Sequence, residues 1–298
     1  FFKQKTAYEI PKRDWSSDVC SSDLSRRNPK PPQRQWDLGF GISLGFGILA
    51  LGCAVILAGC APRLLRLPSD PGSALPDFAD IHKQATAACS GVRSMTAELA
   101  LDGHAGGNRV RGRTIAGFEA PASMRLEGIA PFGPPAFILV ARAGAATLVL
   151  PRDNRVVRAA KPEDILGALA GISLSPADLQ ATLTGCVVPI AMPTGGQLHQ
   201  NGWASINLMA GATLFLERRG TAWFPRAGRR PEWQIEYGMW HGSFPGDVRL
   251  RSLRPDVDVN LHATVAQLET NVPVDAAAFS LAIPPGATDL SQIGRAHV

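Results

Sequence analysis

The stretch SMRLEGIAPFGPP, residues 123–135, contains a strand and the turn that ends it. Met124 and Leu126 alternate with Arg125 and Glu127, a period of two that puts apolar and charged side chains on opposite faces of an extended chain. Pro131, Pro134 and Pro135, with Gly133, then stop the strand, because proline withholds a ladder donor and glycine supplies turn conformations. Pro131, Phe132 and Gly133 form an expected exposed hydrophobic loop, since a ring held between proline and glycine is poorly placed to join a core.

The same period recurs on both sides of this stretch. Upstream, residues 95–101 and 108–118 read as strands, and Arg109, Arg111 and Arg113 share one face of the second. That basic stripe is either a solvated strand face, the simpler reading, or a contact for anionic lipid. Residues 77–92 read as a helix that Asp77 can cap, with Phe78, Ile81, Ala85, Ala88 and Val92 at helical spacing and Cys89 on the same side. Downstream, residues 136–140 and 145–150 are apolar at consecutive positions, as expected for strands covered on both faces. After a short strand at 155–158 come two helices. One, residues 162–170, opens Pro-Glu-Asp; the other, residues 175–184, opens Ser-Pro-Ala-Asp and stops at Gly185. Strands resume over 197–208, 212–218, 232–239, 247–253 and 256–265, where Asp256, Asp258, Asn260 and His262 alternate with Val257, Val259, Leu261 and Ala263. Trp203, Trp223, Trp233 and Trp240 cluster in this half and either line an apolar cavity or fill a core. A short Pro-rich segment, residues 279–285, closes the domain.

The ends of the chain read differently. Residues 1–24 and 293–298 match translated sequencing-library adapters in the orientations expected of a ligated fragment, and they are set aside as non-native. Arg26, Arg27, Lys30 and Arg34 precede an uncharged apolar run, residues 38–59, that ends in Leu57-Ala58-Gly59-Cys60. Small residues before a cysteine at the end of such a run resemble the lipobox of bacterial lipoproteins. Cys60 is therefore the expected lipidation site, and residues 25–60 the expected signal peptide. The run is also long enough to span a bilayer, so a retained single-pass anchor is the alternative. Residues 61–76 are an expected flexible tether, and residues 77–292 the expected folded domain. The resulting location is the periplasmic face of a bacterial envelope. Ala61 rather than Asp after the cysteine favours the outer membrane over the inner.

The chain carries a formal charge of +5, but residues 61–292 hold 21 basic and 20 acidic side chains, a net of +1. A nucleic-acid partner, which would want a basic face, is not expected. With Cys20 in the adapter, Cys53 in the apolar run and Cys60 in the lipobox, Cys89 and Cys186 remain. Two cysteines in an exported domain suggest a disulfide; two buried free thiols are the alternative. Metal-binding His-Glu-x-x-His, nucleophile Gly-x-Ser-x-Gly and phosphate-binding Gly-Lys-Ser/Thr patterns are missing from residues 61–292; the Gly-x-Ser-x-Gly of residues 41–45 falls inside the apolar run. His82, His104, His199, His241 and His262 are scattered. No catalytic residue, metal ligand or cofactor is expected, and an enzyme has no residue set behind it.

Residues 123–186 resemble the outer-membrane lipoprotein receptor and the periplasmic lipoprotein carrier, the LolB/LolA-like superfamily. The family pattern is a strand, an Asn-Pro-Leu-Gly turn, apolar strands, then paired helices around a Leu-Thr-Gly-hydrophobic-Pro link. Here the strand is Met124-Arg125-Leu126, the turn Ala130-Pro131-Phe132-Gly133 and the link Leu169-Ala170-Gly171-Ile172. The resemblance implies a mainly β fold with α: an incomplete, strongly curved antiparallel β-barrel, or half-barrel, with a helical lid over an apolar cavity for acyl chains. It puts Phe132 where the receptor's protruding Leu helps deliver lipoproteins to the membrane. Met124, Leu126, Ile138, Leu148, Trp203 and Trp233 are the expected cavity lining. Ala130 departs from the family's Asn, and the cysteine pair and tether are not part of the receptor's pattern. The expected function is a lipid-anchored monomer that binds acyl chains or lipoproteins, in their sorting or insertion at the outer membrane. The alternative is a structural or assembly lipoprotein with a filled barrel that binds protein partners.

Overall fold

Period-two alternation carries through most of residues 65–290, the part of the chain that the computed structural model describes. The segments expected to be adapter, signal peptide and lipobox lie outside the described residues. A two-residue strand β1 (Ser73–Ala74) leads into helix α1 (Phe78–Ser90). Six strands follow: β2 (Ser94–Ala105), β3 (Asn108–Glu119), β4 (Ser123–Ile129), β5 (Ile138–Arg142), β6 (Ala145–Leu150) and β7 (Arg155–Ala160). Helices α2 (Pro162–Ala170) and α3 (Pro176–Thr184) interrupt them. Then come β8 (Pro193–Leu198), β9 (Trp203–Leu208), β10 (Thr213–Arg219), β11 (Ala222–Arg229), β12 (Trp233–His241), β13 (Phe244–Ser252), β14 (Val259–Thr270) and a terminal β15 (Thr288–Asp289).

All of these strands join one sheet in the order β1-β8-β9-β10-β11-β12-β13-β14-β2-β3-β4-β5-β6-β7-β15. Every neighbouring pair is antiparallel except β15 with β7. The order ends on β1 and β15 without joining them, so the sheet is not closed into a barrel. It is nevertheless strongly curved. Helix α3 touches both β4 and β13. Those strands are four steps apart through β3, β2 and β14, about 19 Å on a flat sheet at ~4.8 Å per strand. A helix about 10–12 Å across meets both only if the sheet curls around it. The expected half-barrel with a helical lid is thus the observed architecture.

The concave face holds one core. Met95, Ala97 and Leu99 of β2, Val259, Leu261 and Val265 of β14, and Trp233, Ile235 and Tyr237 of β12 point into it, with Ile165, Leu166, Leu174 and Leu183 coming from the helices and the link between them. The helices sit close. A methyl group added at Gly228 of β11 would lie 2.4 Å from a Val187 methyl, so glycine there lets the segment after α3 seat on the sheet. Gly171 ends α2 in the left-handed region (φ 65°), against Val259 and Ala105.

Several boundaries differ from those expected. Residues 197–208 are not one strand but the β8–β9 hairpin. His199, Gln200, Asn201 and Gly202 turn it, with Gly202 at φ 78° and the Asn201 side chain accepting from the Trp203 N–H at 3.1 Å. Strand β11 was not expected at all. Pro225 and Gly228 break its apolar rhythm, and a bulge at Phe215/Leu216 of β10 offsets its register. Asp77 makes no side-chain hydrogen bond to α1; Phe78, Ile81 and Ala85 of the expected stripe pack half-buried against the core and Val92 is buried in it, but the most deeply buried residues of the helix itself are His82, Thr86 and Cys89. Ser73–Ala74, expected within the tether, pairs with Leu198 and Gln197, so that part of the tether is docked as an edge strand.

Candidate functional site

Of the expected cavity lining, the concave face brings together Met124, Leu126, Leu148 and Trp233, all buried in the common core. Ile138 and Trp203 lie on the opposite, convex face. Ile138 is paired with Glu127 while its neighbour Leu139 pairs with Leu126; Trp203 is paired with Glu217 while Ala204 pairs with Leu216. A strand alternates faces at every residue, so an apolar residue one position out of phase is carried to the outside. Trp223 and Trp240 pack at the margin of the core, which makes three of the four tryptophans part of the filling.

The convex face is covered over β5, β6 and β7, whereas Ile115 of β3 on the same face is exposed. Val140, Val149 and Val156 are on the Arg125–Ile138 side of their strands, and all three are buried. The short 3-10 turn Ala276–Phe279 of the C-terminal segment packs on β4 and β5, with Ala278 and Phe279 buried. Arg125 ties it down: its guanidinium pairs with Glu127 and donates to the Ala278 and Ser280 carbonyls at 3.0 Å each.

The lid is fastened at one side. Cys89 of α1 and Cys186, just past α3, form a disulfide with Cα atoms 5.7 Å apart. Tyr237 donates its hydroxyl to the Cys186 carbonyl at 3.2 Å; burial pushes that phenol far above its usual range, so it stays a donor. Trp240 meets the Tyr237 ring edge-on, with centroids 6.2 Å apart. Ser175 and Asp178 form a complete capping box at the start of α3, and Arg230 reaches Asp178 at 2.7 Å. Helix α2 has none of these latches. It rests on β6 and, through Gly171, on Val259 and Ala105.

The loop between β4 and β5 runs over residues 130–137, two residues past the turn expected at 130–135, because the strand begins at Ile138 and not at Ala136. Phe132 is 87 % exposed, and Phe137 folds back over Gly128. Arg152 holds the loop's shape by donating to the Phe132 and Pro134 carbonyls. The arginine stripe of β3 borders a cavity of about 450 Å³ on the convex face, with Asp102, His262 and Thr264. Arg109 there pairs with Asp102 at 3.4 Å and Arg113 with Glu98 at 3.1 Å, as a solvated strand face would.

One array had no signal in the sequence. His199 Nδ1 lies 3.3 Å from Asp70, and its Nε2 lies 2.9 Å from the Ser205 hydroxyl. Burial raises the Asp70 carboxyl, but the Gln200 N–H and His199 outweigh it and hold the group below its usual value. The order acid–imidazole–hydroxyl is that of a hydrolytic triad, yet Ser205 is 4 % exposed in the middle of β9, where no substrate carbonyl could reach it. The array instead pins the segment ahead of β1 to the β8–β9 turn. Among the described residues, no group of three His, Cys, Asp or Glu side chains could hold a metal ion, and no helix is long and apolar enough to cross a membrane.

No family model matches the sequence, and no curated protein does. Several solved structures are similar. A DUF1329 family protein from Desulfovibrio piger is 11 % identical, with a TM-score of 0.47 over 70 % of this chain and 98 % of that one. A LolA superfamily protein from Nitrosomonas europaea is 8 % identical, with a TM-score of 0.43 over 68 % and 97 %. The lipoprotein LppX of Mycobacterium tuberculosis is 9 % identical, with a TM-score of 0.29 over 67 % and 99 %. A LolA superfamily protein and a mycobacterial lipoprotein are thus among the structures this chain is similar to.

Proposed function

We propose that this domain holds acyl chains of lipids or lipoproteins between its concave sheet face and its helical lid, as an envelope protein anchored through Cys60. The observation that carries this reading is the continuous apolar concave face, covered by short helices rather than by a second sheet. The disulfide, Tyr237 and Arg230 tie down α3, whereas α2 lacks equivalent latches and leaves Leu169 40 % exposed. Displacing α2 uncovers Leu148, Ile165 and Leu166, and an acyl chain entering there replaces one apolar contact with another. Affinity then comes from apolar burial, about 25 cal/mol per Å² before the costs of binding. Phe132, on its uncharged loop, serves delivery to or from a membrane.

The test is native mass spectrometry of the purified full-length protein together with a fluorescent fatty-acid titration. Copurifying lipid and saturable binding are expected. Phe132→Glu is expected to slow lipid transfer to acceptor vesicles without moving the thermal midpoint. Protein free of lipid that binds no fatty acid would overturn the proposal.

A second reading rests on the close packing of that same face. Met95, Phe118, Met124 and Tyr237 are at most 1 % exposed, which suits a permanently filled half-barrel that binds protein partners in the envelope. The fatty-acid titration separates the two, because a filled interior takes up no probe.

A further inference from the structure

Strand pairing shows which loops share an end of the sheet. Strand β4 finishes at Ile129 opposite Arg113, and the β2–β3 turn lies beyond Arg113 in the same direction. Val259, the first residue of β14, pairs with Ala105 beside that turn. Following the antiparallel pairs through β13, β12, β11 and β10 brings the end of β9, Leu208, to the same end, with Pro193 at the start of β8 opposite it. Gly171, beside Val259 and Ala105, puts the C-terminus of α2 there too.

Among the described residues, five of the eight exposed large apolar side chains gather at this end: Phe132 (87 %), Leu169 (40 %), Ile190 (84 %), Met192 (57 %) and Met209 (55 %). Leu169 is in the last turn of α2; the loop after it, residues 171–174, and the loops that carry the other four, residues 130–137, 187–192 and 209–212, contain no Asp, Glu, Lys or Arg. The Met209 N–H donates to the Met192 carbonyl at 3.0 Å, so two of these loops form one patch. In the turns between the two patches Arg230 pairs with Asp178, Arg254 with Asp256 and Glu232, and Asp258 with His104. Among the described residues, charges at this end outside ion pairs include Arg229, at the end of β11, and Arg152 and Asp153 of the β6–β7 turn, where Arg152 is taken up by the Phe132 and Pro134 carbonyls. The opposite end has the charged run Glu217, Arg218 and Arg219, and the Asp70–His199 contact.

We infer that this end of the half-barrel, with Ile190, Met192 and Met209 on one flank and Phe132 on the other, is a surface that seats on a lipid bilayer. The two patches hang from β8–β9 and β4–β5, with seven strands between them in the sheet order. A single acyl chain or short peptide covers one patch but not both; a flat, extended apolar partner covers both. The absence of unpaired charge in the four loops fits a zwitterionic bilayer and predicts contact that salt does not weaken. The inference deepens the acyl-binding reading by naming what the mouth of the half-barrel faces, but its test is independent of that reading.

The five methionines supply the test. Met192 and Met209 lie on the proposed surface, Met239 is 65 % exposed at the opposite end, and Met95 and Met124 are buried. Full-length protein is exposed to hydroxyl radicals with and without phosphatidylcholine vesicles, and sulfoxide is quantified at each methionine by peptide mass spectrometry. Vesicles are expected to slow oxidation of Met192 and Met209 by about tenfold at low and high salt, and to leave Met239 unchanged. Equal protection of all three exposed methionines, or none at Met192 and Met209, would overturn the inference. Fatty acid alone should protect neither; protection by it would mean that a small ligand covers the patch, and would likewise overturn the bilayer. A protein that binds no fatty acid but shows the vesicle pattern would lose the acyl-binding proposal and keep this one.

Discussion

At the scale of single residues, His82 carries the clearest consequence. It faces inward from α1 at 7 % exposure, its Nε2 has no hydrogen-bond partner, and burial holds its pKa below the ordinary 6.5. A histidine depressed in the folded state contributes stability that is present above its unfolded value and lost as pH falls below it. The thermal midpoint is therefore expected to drop as pH falls from about 7 to about 5, and His82→Leu should remove part of that drop. At neutral pH the variant should be at least as stable, because it deletes an unpaired buried nitrogen that costs about 1–3 kcal/mol. A steeper acid slope in the variant would show that another group controls the transition. His82 also marks a limit of pattern reading. Ile81 is apolar and His82 is not, but the roll of α1 on β8 and β11 buries the histidine more deeply. Phe132 was legible for the opposite reason: its flanking prolines and glycine decide its exposure locally, with no help from packing.

At the scale of elements, the disulfide joins the two helical parts of the lid across 97 residues of sequence. In the chain-entropy account, closing a loop that long restricts the unfolded chain by about 4–5 kcal/mol. The double variant Cys89→Ser with Cys186→Ser is expected to lose most of that in urea denaturation, with little change in circular dichroism, since the sheet does not depend on the bridge. An unchanged midpoint would mean that the bridge closes nothing the core had not already closed. The pairing was readable by counting cysteines. The β8–β9 hairpin was readable in principle, since Asn201-Gly202 is a strong turn dipeptide, but the run from Gln197 to Leu208 hid it under an apparent single strand. Strand β11 was not readable, because its contribution is a bulged register and a glycine under Val187, both set by neighbouring elements.

For the whole molecule, the chain from Arg66 onward forms one compact unit with its own core. A fragment of residues 66–290 is expected to fold alone, with the Cys89–Cys186 bridge formed and a single cooperative thermal transition matching that of the full-length protein. A broad or shifted transition would show that earlier residues complete the core. The sequence by itself determined the strand-rich class, the helix pair with its caps, the cysteine bridge and the exposed Phe132 loop. Each of these follows from contacts or backbone preferences within a few residues, or from simple counting. Only the tertiary structure decided the handling of Ile138 and Trp203, the docking of Ser73–Ala74 on β8, the Asp70–His199–Ser205 array and the shared end of Phe132 with Ile190, Met192 and Met209. Those depend on the register and order of strands distant in sequence, and a shift of one residue in register exchanges the two faces of a strand while leaving its local pattern untouched.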